Sequence, residues 1–298
     1  ERTEPVILKG KPKKGEKKKS DYLVLMDMDG DNDLHDNLYE DINEVEYGLK
    51  LVRKEDGITP LDGYSSVNVI VLWDGWHEAG FKEGEKTLVQ FGDANTHIFE
   101  LASDSWEWWE DGDLLLTSPR FVLSENTKDL THTSSFIYNA EGEKEVDMGN
   151  PDTLKEFIKW TFDHYESDNT IITFSNHGGG PRSNPPMYAK TDDGRWIKVN
   201  DSNIRRSMCW DDTSGREAFL KTKDVPAAIS EAFTDLGFSD GKKFDLIIED
   251  VCLGGSVEEA YELKDVADYL IASPNLVPGN GLKYFEFISS VAKPGSSW

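Results

Sequence analysis

The sequence predicts an α/β fold in which a mostly parallel sheet has helices on both faces. Five short apolar runs alternate with longer segments of helical periodicity, and each run is continuous rather than alternating. Strands of a parallel sheet have this pattern because both of their faces are buried. The predicted strands are residues 22–26, 67–72, 171–175, 244–248 and 269–272. Strand–helix–strand order repeated along the chain is typical of this architecture.

Helices are predicted between these strands from apolar stripes and capping signals. They lie at 34–52, from 150, from 222, from 256 and, as a partial helix, at 284–291. In the first, apolar residues recur at every third or fourth position, with Asp31 or Asp33 as the expected N-cap. Pro151 is tolerated at the first position of the second helix. Ser256 and Glu259 have the spacing of a capping box.

The stretch from about 74 to 149 interrupts this alternation. It contains two β-like runs, at 87–91 and 97–101, followed by a tryptophan-rich cluster at 106–109. The pattern predicts an inserted β-hairpin with a long loop, placed on the sheet.

The chain is expected to be one domain, residues 21–298, behind a flexible tail of residues 1–20. The tail has seven lysines between Lys9 and Lys19 and little apolar content, which is typical of a tether. A patch that binds a membrane surface or heparin is the alternative. Because the chain begins at Glu1, we expect that an N-terminal segment has been removed, and a C-terminal part is expected to be missing after Trp298.

Composition excludes several classes of protein. The net charge of −25 argues against general nucleic-acid binding, because phosphate contacts need a basic face. No run of eighteen apolar residues is present, so no membrane span is expected. Two cysteines cannot form a disulfide framework, which leaves either one disulfide or two free thiols.

Residues suited to chemistry follow two of the predicted strands. His177, followed by three glycines, comes after the third strand, and Cys252 comes after the fourth. The carboxyl ends of parallel strands share one edge, so a thiol and an imidazole are expected to meet there, as nucleophilic catalysis requires. Glycines let backbone N–H groups approach an oxyanion. The alternative for Cys252 is a buried structural thiol, which is also how we interpret Cys209.

An esterase is a competing interpretation, because lipases and esterases also use a His-Gly-Gly-Gly string at the oxyanion hole. Those enzymes need a G-x-S-x-G turn as well, which the sequence lacks, and their nucleophile precedes the histidine.

Longer motifs resemble the clostripain-type cysteine peptidases, family C11 of the caspase-like clan. The resemblance covers nearly all of residues 21–298 and rests on four stretches, namely the strand and turn at 23–34, His177-Gly178, the Asp-Val-Cys-Leu string at 250–253, and the helix and strand at 257–273. Two departures are Val251, where alanine is usual, and Pro274, where acidic residues are common.

The resemblance implies a caspase-like sandwich and a bacterial cysteine endopeptidase that is secreted or held in the cell envelope. Cys252 would be the nucleophile and His177 the general acid and base. The N–H groups of Gly178 and Cys252 would bind the oxyanion, and Asp250 would select arginine or lysine on the acyl side of the cut. No cofactor is required, and the partners are peptide or protein substrates. A catalytically silent caspase-like binding module is the alternative.

Two further expectations concern calcium and self-processing. The acidic turn from Asp27 to Asp33 offers hard oxygen ligands for calcium, with Glu40 at the twelfth position counted from Asp29. The sixth position is leucine instead of glycine, and a solvated helix start is the alternative. Self-cleavage between His177 and Cys252 is expected in the turn-rich loop 181–221, after Lys190 first and Arg195 second.

Overall fold

The computed structural model of the protein describes residues 17–75, 96–103, 120–122, 136–138, 144–179, 187–190, 196–199, 207–211 and 219–295. The strands are β1 (Lys18–Gly30), β2 (Val67–Gly75), β3 (His97–Glu100), β4 (Arg120–Val122), β5 (Phe136–Tyr138), β6 (Lys144–Val146), β7 (Tyr165–Ser175), β8 (Met187–Lys190), β9 (Trp196–Val199), β10 (Ser207–Trp210), β11 (Phe219–Lys221), β12 (Phe244–Asp250) and β13 (Ala267–Ala272). The helices are α1 (His35–Val52), α2 (Pro151–His164), α3 (Asp224–Asp235), α4 (Val257–Leu263) and α5 (Tyr284–Val291).

The central sheet has seven strands in the order β13-β12-β7-β1-β2-β3-β4. The first five are parallel and correspond to the five predicted strands, while β3 and β4 extend the edge in antiparallel fashion. The predicted insertion is therefore confirmed at β3. Its other predicted run, 87–91, and the tryptophan-rich cluster lie outside the described residues.

Helices cover both faces of the sheet, as predicted. One face packs against α1 and α5, with Ile42, Val45 and Leu49 of the α1 stripe completely buried. The other face packs against α2 and α3, where Phe157 and Ile229 are also completely buried. None of the described helices has the length and apolar character needed to span a membrane.

The predicted starts of two helices were confirmed, and a side-chain cap is present at each. Asn150 accepts a hydrogen bond from the backbone N–H of Asp152 at 2.9 Å, and Ser256 accepts one from Glu259 at 3.1 Å. The Glu259 carboxylate instead accepts a hydrogen bond from the Thr222 hydroxyl at 3.1 Å.

At two other helices the start differs from the prediction. The N-cap of α1 is Leu34, without a side-chain cap bond, because Asp31 and Asp33 make contacts elsewhere. The helix predicted from Thr222 begins at Asp224, since the Thr222 hydroxyl is engaged by Glu259 of α4.

Two predicted irregular segments contain regular structure. Strand β1 begins at Lys18, inside the predicted tail, and Lys19 pairs with Glu166 of β7 at 3.0 Å. The predicted processing loop 181–221 contains two antiparallel hairpins, β8–β9 and β10–β11, because short runs of β-forming residues pair across its turns.

Candidate active site

The register of β7 against β12 brings the two predicted catalytic residues to one edge of the sheet. Ser175, at the end of β7, pairs with Asp250, at the end of β12. His177 and Cys252 each follow two residues later, so the chain leaves the sheet at the same level on neighbouring strands.

Gly178 brings the two chain segments into direct backbone contact. A Cβ atom at this position would overlap the carbonyl oxygen of Cys252 and lie 2.8 Å from the Cys252 nitrogen. A glycine is therefore required here, because any side chain would push the segments apart. The contact places the backbones of the two predicted oxyanion residues side by side.

His177 has a carboxylate neighbour that the sequence did not reveal. Its Nε2 lies 2.6 Å from Oδ1 of Asp33, and its side chain is 38% exposed. The ring centroid is 6.2 Å from that of Trp210, and the His177 backbone N–H donates to the Asn176 side chain. One signal in the sequence could have identified Asp33 as a neighbour of His177. Asp33 follows β1, so it lies at the same edge of the sheet.

The segment 273–283, which we call the covering segment, lies over Cys252. The half-buried Cys252 Sγ accepts a hydrogen bond from the backbone N–H of Val277 at 3.3 Å. In the part of the chain that the structure describes, the hydrogen-bond contacts of this sulfur are with Val277 rather than His177. Leu253, next along the chain, has φ +63° and donates its N–H to Asn275 at 3.0 Å. A positive φ in leucine is uncommon and marks a constrained turn after the thiol.

Asp250 lies beneath the same covering segment and is only 5% exposed. Its carboxylate accepts a hydrogen bond from the Leu282 N–H at 2.9 Å. The Tyr284 hydroxyl lies 2.6 Å from that of Ser175. Burial raises the pKa of Asp250, and the hydrogen bond from Leu282 and the nearby Tyr284 side chain oppose that change.

Helix α1 adds two acidic side chains to the surroundings of Asp250. Burial and then the charge of Asp250 raise the pKa of Asp41 well above its usual range. Burial also raises the pKa of Glu44, which accepts a hydrogen bond from the Tyr284 N–H at 2.8 Å. This concentration of carboxyl groups favours a positive charge nearby.

A second acidic pair, Glu249 and Glu259, lies directly behind the Cys252 turn. Burial and then the neighbouring Glu259 carboxyl raise the pKa of Glu249 well above its usual range. Gly254 packs onto Glu249, since a Cβ on Gly254 would lie 3.3 Å from that of Glu249. Glu249 therefore packs against the backbone of the turn from inside the protein.

Cys209 has the properties of a structural thiol. It is completely buried, has φ +53° and sits where the β10–β11 pairing is irregular between Met208 and Trp210. Burial raises the pKa of its thiol well above the usual range, with nearby carboxylates adding to the effect. Both cysteines are free.

The predicted cleavage and calcium residues are partly described. Lys190 ends β8 and pairs with Trp196, so the connection 191–195 joins two strands, and Arg195 lies outside the described residues. Of the acidic turn, Asp31 lies with Asp74 and Asp211 in a buried cluster whose ligand oxygens are within 4.8 Å of one another.

Comparison with known proteins gives a consistent result. The model of the clostripain family, Peptidase_C11, matches residues 27–298. Clostripain of Hathewaya histolytica is 25% identical over 293 residues, which is 96% of this chain and 45% of that protein.

Two solved structures share the fold. One is a secreted C11 cysteine protease from Bacteroides thetaiotaomicron in complex with an irreversible peptide inhibitor, with 21% identity, a TM-score of 0.50, and coverage of 89% of this chain and 52% of that one. The other is an inactive zymogen C11 protease from Parabacteroides distasonis, with 17% identity, a TM-score of 0.53, and coverage of 92% and 54%. The chain therefore spans about half the length of the relatives it matches.

Proposed function

This chain belongs to the clostripain family, and we propose that it is a cysteine endopeptidase that cuts peptide bonds after arginine or lysine. The observation that carries this proposal is the backbone contact between Gly178 and Cys252. It holds a thiol, an imidazole and two candidate oxyanion donors at one edge of the sheet, which is the set of groups that acyl transfer requires.

In the proposed reaction, the Cys252 thiol gives its proton to His177, and its sulfur attacks the carbonyl carbon of the scissile bond. The carbonyl electrons move to oxygen, and the backbone N–H groups of Gly178 and Cys252 stabilise the resulting oxyanion. His177 gives a proton to the leaving amine as the carbon–nitrogen bond breaks. Water, deprotonated by His177, then attacks the thioester, which releases the new carboxylate and returns the proton to the sulfur.

Asp33 is proposed to position His177 during these proton transfers. Its carboxylate lies 2.6 Å from Nε2, close enough to fix the orientation of the imidazole ring. Because the contact is partly exposed, its contribution is expected to be modest compared with that of a buried carboxylate.

We expect Asp33→Ala to lower kcat about tenfold and to leave KM nearly unchanged, because the substrate does not need Asp33 to bind. Steady-state kinetics on an Arg-ending fluorogenic peptide measure both parameters. Asp33→Asn retains an acceptor oxygen and should recover part of kcat. Equal kcat values for wild type and Asp33→Ala would show that the contact has no role in the reaction.

Selection of a basic side chain is proposed to depend on Asp250, with Asp41 and Glu44 nearby. A guanidinium or ammonium group entering this region would compensate carboxyl groups that burial otherwise disfavours. An apolar side chain would leave the same groups without compensation.

We expect Asp250→Asn to lower kcat/KM for Arg- and Lys-ending peptides by about 10- to 100-fold relative to a Leu-ending peptide, since one charged hydrogen bond is lost. The measurement is the ratio of kcat/KM for the Arg- or Lys-ending peptide to kcat/KM for the Leu-ending peptide. Asp245→Asn is the matched control, because Asp245 lies on the same strand and accepts a hydrogen bond from Thr170 at 2.7 Å, away from Cys252. An unchanged ratio in Asp250→Asn would exclude Asp250 from the specificity pocket.

Activation by self-cleavage is proposed because the covering segment contacts the side chains of both Cys252 and Asp250. Val277 bonds to the Cys252 sulfur and Leu282 to the Asp250 carboxylate, so the covering segment must move before a substrate binds. Cleavage after Lys190 or Arg195 would open the connection between β8 and β9. Strand β10 follows β9 along the chain, and its Met208 bridges to Gly178 beside Cys252. The structurally similar Parabacteroides protein is itself described as an inactive zymogen.

The proposed setting is outside the cytoplasm of a bacterium, secreted or in the cell envelope, as described for the Bacteroides relative. Peptides and proteins with a basic residue at the cut are the proposed partners, with no role for nucleic acid. A catalytically silent binding module is the second candidate, favoured by the engagement of the Cys252 sulfur with Val277. Turnover of an Arg- or Lys-ending fluorogenic peptide by the 298-residue chain distinguishes the two.

A further inference from the structure

Two buried carboxyl groups are neighbours behind the turn that carries Cys252. Glu249 lies near the end of β12, Glu259 lies in the first turn of α4, and each is 2% exposed. Between them the chain runs through residues 250–258, which include Cys252 and the helix cap Ser256. An interaction between the two side chains therefore closes this turn from inside the protein.

Glu259 directs its carboxylate into the protein instead of capping its own helix. In a capping box this side chain would accept the backbone N–H of Ser256, but that N–H donates to the carbonyl oxygen of Gly254 at 2.8 Å. The Glu259 carboxylate accepts a hydrogen bond from the Thr222 hydroxyl at 3.1 Å. A donor of this kind favours the ionised form of Glu259.

Glu249 has no comparable donor. Among the residues that the structure describes, neither of its carboxylate oxygens accepts a hydrogen bond from an N–H or O–H group. Its Oε2 lies against Gly254, where an added Cβ would be 2.5 Å away, so the group is packed on the backbone of the turn. An ionised carboxylate without a donor is unfavourable in a buried place, whereas a protonated carboxyl group can donate to a neighbouring carboxylate.

We propose that Glu249 keeps a proton at neutral pH and donates it in a hydrogen bond to Glu259, and that this bond positions the turn that carries Cys252. A hydrogen bond to an ionised acceptor is about twice as strong as one between neutral groups, so a single proton is sufficient. Both glutamates are positioning residues, because neither touches the substrate in the proposed reaction. The positioning role rests on the proposed function, whereas the shared proton does not.

The charges of the pair favour one shared proton over none. Burial and then the Glu259 carboxyl raise the pKa of Glu249 well above its usual range. Two carboxylates at close range repel each other in a buried place, and one proton between them removes this repulsion.

The other side chains that face Glu249 leave it this proton. Glu249 is one of the carboxyl groups that raise the pKa of the Cys209 thiol of β10, so that thiol is neutral. The partners of Glu249 in register are Phe174 of β7 and Ala272 of β13, which do not titrate. Asp250 is on the opposite face of the sheet, because successive residues of a strand alternate. Other titratable residues on the elements around the pair are the buried Asp27, two strands away in register, and the half-buried or exposed Lys221, Lys223, Asp224, Glu258 and Glu262.

Loss of the shared proton is expected to loosen the turn as the pH rises. Glutamates of the unfolded chain lose their protons near about pH 4.3, whereas the folded pair keeps one proton above that pH. In this range the folded state binds more protons than the unfolded state, so the contribution of the pair to stability falls as the pH rises toward the raised pKa of Glu249. Above that pKa, two carboxylates would repel each other beside Gly254, and the Cys252 sulfur would be less well placed.

The first test compares the Tm of wild type and Glu249→Gln between about pH 6 and pH 9. A glutamine amide donates to Glu259 as the protonated carboxyl group does, but it does not titrate. We expect the Tm of wild type to fall about 2 °C per pH unit more steeply than that of the variant. Glu259→Gln should flatten the curve in the same way, because Glu249 then accepts from the amide. Glu258→Gln is the matched control, since it removes an exposed carboxylate from the same helix and should keep the wild-type slope.

The second test measures kcat on an Arg-ending fluorogenic peptide over the same pH range. Titration of His177 and Cys252 affects wild type and Glu249→Gln alike, so it cancels in the ratio of their kcat values. We expect the variant to be within about twofold of wild type at the acidic end of the range and at least about threefold faster at the alkaline end. KM should stay nearly unchanged, because neither glutamate contacts the substrate.

Parallel Tm curves for wild type and the two glutamine variants would overturn the shared proton. A kcat ratio that does not change with pH would overturn the positioning of Cys252 by the pair. The Tm curves do not require turnover, so they decide the shared proton even in a chain that cleaves no peptide, a result that would contradict only the proposed function. Should one glutamine variant fail to fold, the other provides the same comparison.

Discussion

Replacing Cys252 with alanine is expected to lower peptide turnover at least about 10⁴-fold, because the acyl-enzyme cannot form without the sulfur. The same variant should remain a single chain on a denaturing gel, whereas the active wild type yields two fragments with a new N-terminus after Lys190 or Arg195. The fold should persist, since the change removes one hydrogen bond, from Val277, worth about 0.5–1.5 kcal/mol.

Cys209→Ala is the matched control for this experiment. It removes the other thiol, which is completely buried and has φ +53°, a conformation in which alanine is no more strained than cysteine. We expect near wild-type turnover with a small loss of stability from the lost buried volume. Turnover that survives in Cys252→Ala, or that disappears equally in Cys209→Ala, would contradict the assignment of Cys252 as nucleophile. A wild-type chain that cleaves peptide at full rate while remaining intact would contradict only self-activation.

The arrangement of the sheet was predictable because each of its parallel strands is an unbroken apolar run. The same logic placed His177 and Cys252 together, since residues that follow neighbouring parallel strands must share an edge. The register that pairs Ser175 with Asp250 turns this expectation into a direct backbone contact.

Contacts between distant segments could not be predicted from the sequence. Asp33 and His177 are 144 positions apart, and nothing in the local pattern of either identifies the other as its partner. The convergence of Asp31, Asp74 and Asp211 likewise depends on how β2 and β10 are placed beside β1. Asp250 was predicted from the resemblance, but its cover by the Leu282 backbone depends on the path of an irregular segment.

Capping shows why local rules succeed at some helices and fail at others. Asn150 and Ser256 have nearby backbone N–H groups as their partners, so the local rule was sufficient. Asp33 had a stronger alternative in the His177 side chain, and Thr222 had one in Glu259. The predicted cap Asp33 therefore lies in a contact of the candidate active site.

Gly178→Ala is expected to lower kcat/KM at least about 100-fold without unfolding the protein. The new methyl group would overlap the Cys252 carbonyl oxygen and would lie 2.9 Å from the Val251 Cβ, so the two backbones must separate. Backbone atoms cannot rotate away as a flexible side chain can, and a displacement of about 1 Å at a reacting centre costs about 100-fold in rate. Steady-state kinetics on an Arg-ending peptide, with circular dichroism to check the fold, measure the effect.

Gly279→Ala is the control that separates this local overlap from a general effect of replacing glycine near Cys252. Gly279 lies in the covering segment, and a Cβ there would be 3.5 Å from the Asn37 side chain, an ordinary contact distance. We expect this variant to keep kcat/KM within about threefold of wild type, because it forces no backbone movement. If Gly178→Ala were equally active, the two backbones would not need to touch for catalysis. The backbone contact would then no longer support the proposed oxyanion site, and the peptidase assignment would depend on Cys252 and His177 alone.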